Sequence, residues 1–331
     1  MSWKRWLFGR RELTLALACV AVAVFFQFLS PYFLTADNLI TILRNSVELL
    51  LVSLGITFVL ATAGIDIAVG GALGICAIFV GWSVQGGWPL VVVVLIGPLV
   101  GTGLGLVSAF LIVQGKIPPI IATLGLFGVY RAAIFLLLGG SWISGLPDTL
   151  GPAVNTIIAG IPLTAIYILF FYFIGWVVIR WVPLGIAIRA IGGNERAARL
   201  SGVSIGRTKF FVYGFTGLLV GCAAFLYVAR YRNVETSTGG LIALDAIVAS
   251  VLGGTSVLGG KANLLGAMFG VLLVRVLQNG FVLIGVPSLW EQVITGGLLI
   301  GVLILDALAE RSHAQGRPRN RGNAPQWLAT P

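Results

Sequence analysis

Residues 180–209 read RWVPLGIAIRAIGGNERAARLSGVSIGRTK. The stretch holds six Lys/Arg and one Glu, and apolar runs flank it at 157–179 and 210–228. A chain that only had to reverse direction at a membrane surface needs a handful of residues there. Thirty residues predict a compact extramembrane element on which something soluble docks. Within it, NERAARL (194–200) reads as one or two turns of polar, Ala-bearing helix.

The rest of the chain is close to hydrocarbon in character. Of 331 residues 58% are hydrophobic and 10% charged, against roughly 25% charged in soluble domains. Gly occurs 45 times, the usage expected where helices pack closely in lipid. About 20 apolar residues cross a bilayer, and ten candidate spans emerge: 13–30, 46–63, 68–84, 90–113, 120–138, 157–179, 210–228, 241–258, 262–284 and 290–308. The expected fold is an all-α polytopic membrane protein of about ten transmembrane helices, with 68–84 and 241–258 short or Gly-broken. Residues 1–12 form a basic N-terminus, 13–308 the transmembrane domain, 180–209 its cytoplasmic loop and 309–331 a disordered polar tail.

Charge orients the chain. With both termini cytoplasmic, sixteen of the 21 Lys/Arg fall inside; Arg44, Arg230 and Arg232 fall outside, and Arg131 and Arg275 within spans. The net charge of +10 is then the positive-inside bias of a multi-pass inner-membrane protein and not a nucleic-acid footprint. Trp82, Trp88, Trp142, Trp176, Trp181 and Trp290 fall at span ends, as interfacial aromatics do. LALAC (15–19) faintly resembles a lipoprotein cleavage box, but the apolar run continues to Leu29, which fits an uncleaved span.

Cys19, Cys76 and Cys222 sit inside apolar segments with no disulfide or metal-ligand spacing, and the sole histidine, His313, lies in the tail. No nucleophile–base pair, carboxylate dyad or metal cluster is legible, so no catalytic residue, metal or cofactor is assigned. GGTSVLGGKA (253–262) falls short of a phosphate-binding loop, with Thr255 in place of the first Gly and Ala262 in place of Ser/Thr. Any ATP is therefore expected to be hydrolysed by another subunit.

Two Gly-punctuated breaks, LATAGIDIAVGGALG (60–74) and SVLGGTSVLGGKANLLG (250–266), are candidate copies of one duplicated unit; paired interruptions of this kind point to a translocation path. In the first, Asp66 either caps the following half-helix or lines the path. In VLLVRVLQNG (271–280), Arg275, Gln278 and Asn279 form one polar face. That face suits a hydroxylated solute, or it pairs between helices with Glu291 or Asp245. Gly-x-x-x-Gly pairs at 70/74, 101/105, 217/221, 266/270 and 297/301 fit close helix packing.

The chain resembles the permease subunits of bacterial ribose/xylose-type ABC importers, the branch that also holds the autoinducer-2 import permeases. The residues that carry this are GIDIAVGG (64–71), IPPIIATLGLFGVYR (117–131), GGSWISGLP (139–147), AIGGNERAARLSGV (190–203) and VLGGTSVLGG (251–260). The resemblance implies a homo- or heterodimer of permeases with two cytoplasmic ABC ATPase subunits and a periplasmic substrate-binding protein. It implies import of a small neutral sugar-like solute such as autoinducer-2, rhamnose or ribose. A short cytoplasmic helix of such permeases sits in a cleft of the ATPase; its counterpart here comprises Gly193, Asn194, Ala197, Ala198 and Gly202, with the two glycines permitting chain reversals. The other reading of this segment is an amphipathic helix lying on the headgroups, with Arg196 and Arg199 toward lipid. Loops 139–156 and 229–240 are expected to receive the binding protein. The alternative is an ion-coupled transporter or channel working without an ATPase, with Asp66 or Asp245 as its ion site.

Overall fold

In the computed structural model, which describes residues 11–159, 161–287 and isolated positions from there to 301, the chain is overwhelmingly helical. The basic residues 1–10, most of the span 290–308 and the tail 309–331 lie outside the described residues. In chain order the helices are α1 (Arg11–Leu29), α2 (Ala36–Ala61), α3 (Val69–Gln85), α4 (Leu90–Val113), α5 (Pro119–Leu138), α6 (Gly151–Asn155), α7 (Leu163–Trp181), α8 (Pro183–Gly193), α9 (Glu195–Leu200), α10 (Ile205–Tyr231), α11 (Ile242–Leu252) and α12 (Leu264–Leu283). Two strands of two residues each, Ile157–Ile158 and Ile161–Pro162, pair antiparallel before α7.

Seven of these helices are long and apolar enough to cross a membrane: α1, α2, α4, α5, α7, α10 and α12. The expected spans 68–84 and 241–258 fall on the shorter α3 and α11. At 1.5 Å per residue, the 11 residues of α11 reach about half-way through a bilayer. Several boundaries differ from expectation. Helix α7 begins at Leu163, behind the two short strands, and not at 157, and α11 ends at Leu252 and not at 258. Helix α2 begins at Ala36, where the Thr35 hydroxyl caps it by accepting from the Asn38 N–H at 3.4 Å. Polar residues at 37, 38, 44 and 45 mask this first part of the helix in a hydropathy reading. Helix α10 likewise runs on to Tyr231, so Arg230 belongs to the helix and not to an outer loop.

Helices α2, α3 and α10 form the centre. Leu49, Leu51, Val52, Leu54, Ile56 and Phe58 of α2 and Val212, Leu219, Val220 and Ala223 of α10 have no accessible surface. Two sequence devices bring α10 so close. Gly101 of α4 and Gly217 of α10 face each other: a Cβ on either would overlap the carbonyl oxygen of the other, as small-xxx-small packing requires. Against α2, hydroxyls act as the adhesive. Thr216 donates to Gly55 O at 3.1 Å, and Ser250 of α11 lies 3.0 Å from the Ser53 hydroxyl and accepts from Thr57 at 3.2 Å. Helix α1 packs at the edge, Phe26 stacking on Phe33 and meeting Phe281 of α12 edge-on.

The chain crossings sort the loops to two faces. On one face, Ala61, α8 and the 253–263 segment meet: the Gly260 N–H donates to Ala61 O at 3.0 Å, and a Cβ on Gly259 would stand 2.6 Å from Gly192 O. The two Gly-punctuated breaks thus touch at residues 61–63 and 259–260, although the first lies between a long and a shorter helix and the second in the reverse order. At the other face, Ile143 and Val234 form an antiparallel bridge, with N–H···O distances of 3.1 and 2.8 Å, and Arg232 Nε donates to Leu146 O at 2.9 Å.

Candidate translocation cavity and docking helix

A cavity of about 440 Å³ lies between α2, α10, α11 and α12 toward the face of the 143–234 bridge. Helix α12 contributes Arg275, Gln278 and Asn279 from one side, as their i, i+3, i+4 spacing dictates. Glu48 and Asn45 come from α2, Tyr227, Arg230 and Tyr231 from α10, and Asp245 from α11. The Arg275 guanidinium donates to Gln278 Oε1 at 2.7 Å. Asn279 and Asn38 exchange amide hydrogen bonds of 2.9 and 3.0 Å, which fix the C-terminal end of α12 against the start of α2. Glu48, with its side chain 6% exposed, forms an ion pair with Arg230 at 3.3 Å. Arg230 is held on two further sides: it donates to Arg44 O and lies 4.2 Å from the centre of the Tyr231 ring. A charge taken this deep is tolerable only when paired and hydrogen-bonded.

Asp66 does not line this cavity. It is 3% exposed in the 62–68 connection, and its carboxylate accepts from the Ala68 N–H at 3.0 Å, at the start of α3. Thr123 closes the same turn by donating to Ile65 O at 3.1 Å. Sequence reasoning named three cavity residues on α12 but passed over Arg230, Tyr227 and Asn45. The one available signal was a helical reading of 205–231 that places 227, 230 and 231 on one face.

On the opposite face, α8 and α9 are two helices joined at Asn194. The Asn194 side chain caps α9, accepting from the Ala197 N–H at 2.9 Å. Gly202 takes a left-handed φ of 83° and reverses the chain after α9, as expected. Gly193 does not do so at the other end. It closes α8 in helical conformation, and the extended Asn194 makes the turn. The tight glycine is its neighbour Gly192, whose Cβ would overlap Ala61 O.

Successive residues of α9 point about 100° apart, giving three distinct directions. Ala198, 4% exposed, packs inward on Ile191 and Ile205. Glu195 and Arg199 face the start of α10: Glu195 bonds Lys209 at 2.8 Å and Arg199 at 3.3 Å. The bond to Lys209 holds the Glu195 carboxyl below its ordinary range. Arg196, Ala197 and Leu200 face outward, and Leu200 is 84% exposed. The outward apolar residue of NERAARL is therefore Leu200, which sequence reasoning overlooked, with Ala198 turned beneath it.

Among the described residues no group of three or more His, Cys, Asp or Glu could hold a metal ion. Residues 38–303 match the family described as branched-chain amino acid transport system / permease component. The chain is 36% identical to the autoinducer 2 import system permease protein LsrC of Enterobacter sp. (strain 638) over 91% of this chain and 88% of that one. It is also 36% identical to the Klebsiella pneumoniae protein of that name, over 96% and 95% of the two chains. To the ribose import permease protein RbsC of Bacillus subtilis it is 34% identical over 86% and 89%. No solved structure matches it.

Proposed function

Because the chain belongs to the branched-chain amino acid transport system / permease component family, we propose that it is the transmembrane subunit of an ABC importer for a small neutral sugar or sugar-like solute. It works with ABC ATPase subunits, a substrate-binding protein and a second permease. The observation that carries this reading is α9, a capped helix packed through Ala198 on Ile191 and Ile205 and joined to α8, whose Gly192 abuts Ala61, that presents Ala197 and an exposed Leu200 outward. An isolated apolar side chain on a polar helix, flanked by Arg196, suits a cleft in a soluble partner. That partner is the ATPase, which makes this face cytoplasmic. The charges agree: Lys116, Arg180, Arg189, Arg196, Arg199, Arg207, Lys209 and Lys261 lie toward it, and Arg44, Arg230 and Arg232 toward the other.

The cavity supports the solute class. Its four charged residues, Glu48, Asp245, Arg230 and Arg275, balance in sign, so nothing in it selects a net charge. Asn45, Gln278, Asn279 and the tyrosines supply both donors and acceptors for hydroxyl groups. The relatives named for autoinducer 2 and ribose import support the same class. The bridged loops around Ile143 and Val234 give the binding protein one continuous outer platform.

In this mechanism, ATP-driven closure of the partner moves α9. Ala198 carries the displacement to α8, and the Gly192–Ala61–Gly260 junction passes it to α2 and to the segment after α11. ATP can drive this only because the partner binds it more tightly in one state than in the other. Proteoliposomes holding the chain with its ATPase and loaded binding protein test the reading, with autoinducer 2, ribose and rhamnose as probes. ATP-dependent uptake of one of the three supports it. Uptake driven by a proton or sodium gradient in liposomes holding the chain alone contradicts it.

A further inference from the structure

A second groove, of about 770 Å³, opens on the α9 face between the end of α4, the 114–118 turn, α9 and the start of α10. Its floor is apolar, with Ile112, Ile117 and Val203, and its rim carries Lys116, Arg199 and Lys209 against the single carboxylate of Glu195. Lys209 and Arg199 share that carboxylate. Lys116 has no ion-pair partner among the described residues. It also sits at a left-handed φ of 53°, a conformation costly for any residue with a Cβ. The groove lies at the ends of two helices, α4 and α5, long and apolar enough to cross a membrane.

We propose that this groove is a binding site for an anionic phospholipid at the membrane surface, with the headgroup phosphate between Lys116 and Arg199 and an acyl chain along the partly exposed Val113 and Ile117. Basic pockets between helix ends at the cytoplasmic surface recognise such headgroups. A free phosphate would use the rim and leave the apolar floor exposed. The site does not compete with the docking of a soluble partner. Glu195 and Arg199 line the groove, whereas Ala197 and Leu200, roughly 100° or more around the helix, face away from it. The bound lipid would brace α9 against α4 and α10.

The test is native mass spectrometry of the full-length chain, titrated with equal mixtures of phosphatidylglycerol and phosphatidylcholine. The expected result is about tenfold preferential retention of phosphatidylglycerol, weakening as salt rises. Lys116→Gln with Arg199→Gln should bring the ratio close to one while melting in phosphatidylcholine stays at the wild-type value. If the double variant does not fold, Lys116→Gln alone decides by the same ratio. Equal retention of both lipids by the wild type overturns the proposal. An equal loss on Lys261→Gln, a cation of the same face outside the groove, overturns it in favour of general surface charge. Displacement of the lipid by millimolar inorganic phosphate overturns it in favour of a free-anion site.

Discussion

Gly192 of α8 lies against Ala61 at the end of α2 so closely that a single methyl group at 192 would overlap the Ala61 carbonyl oxygen and crowd the Gly260 N–H bonded to it. One position at the end of α8 thus touches both Gly-punctuated breaks. Gly192→Ala should destabilise the purified chain by about 1–3 kcal/mol, as overpacking does, and lower its melting temperature in detergent. Gly193→Ala, where an added Cβ meets nothing within 4 Å, should be neutral or slightly stabilising. Equal melting of the two variants would rule out a tight junction at 192.

The pair Glu48–Arg230 should show strong coupling. Arg230→Gln leaves the buried Glu48 carboxylate without its 3.3 Å partner and should cost about 3–5 kcal/mol. Adding Glu48→Gln should recover much of that loss, because both charges are then gone. Melting of the single and double variants in one detergent measures the coupling. Additive losses would mean that the two side chains do not form a pair.

Glu195 gives a pH dependence of definite sign. Its carboxyl is held below the ordinary range by Lys209, so the Glu195–Lys209 link contributes stability above the unfolded value of about 4.3. That contribution is lost as pH falls through the lower folded value. Between pH 5 and 8 the link is therefore intact, and Glu195→Gln should lower stability there by no more than about 1 kcal/mol, since the pair is partly exposed. Melting of wild type and variant should converge in acid. A gap that widens as pH falls would reverse the sign.

What could be read ahead of the structure follows from how local each cause is. Apolar runs long enough to cross a bilayer announce themselves, and so does the left-handed Gly202, whereas the Asn194 cap emerges only in the structure. Helix α2 from Ala36 to Arg44 was hidden because Asp37, Asn38 and Arg44 look like loop residues, whereas Asn38 is paired across 241 positions with Asn279. Arg230 looked like an outer loop residue for the same reason, its partner Glu48 lying on another helix. The direction of Ala198 was equally invisible. Alanines at 197 and 198 are interchangeable in sequence, and only the packing of Ile191 and Ile205 decides which is buried.

On the function proposed above, the outward face of α9 receives the ATPase that drives transport. Leu200→Glu tests it most directly, because a side chain 84% exposed can be changed without disturbing the fold of the chain. The measurement is ATP hydrolysis by the reconstituted complex with and without solute-loaded binding protein. The variant should insert and melt like wild type but lose the stimulated hydrolysis and the retained ATPase subunit. Stimulated hydrolysis at the wild-type rate, with the ATPase still bound, would contradict it.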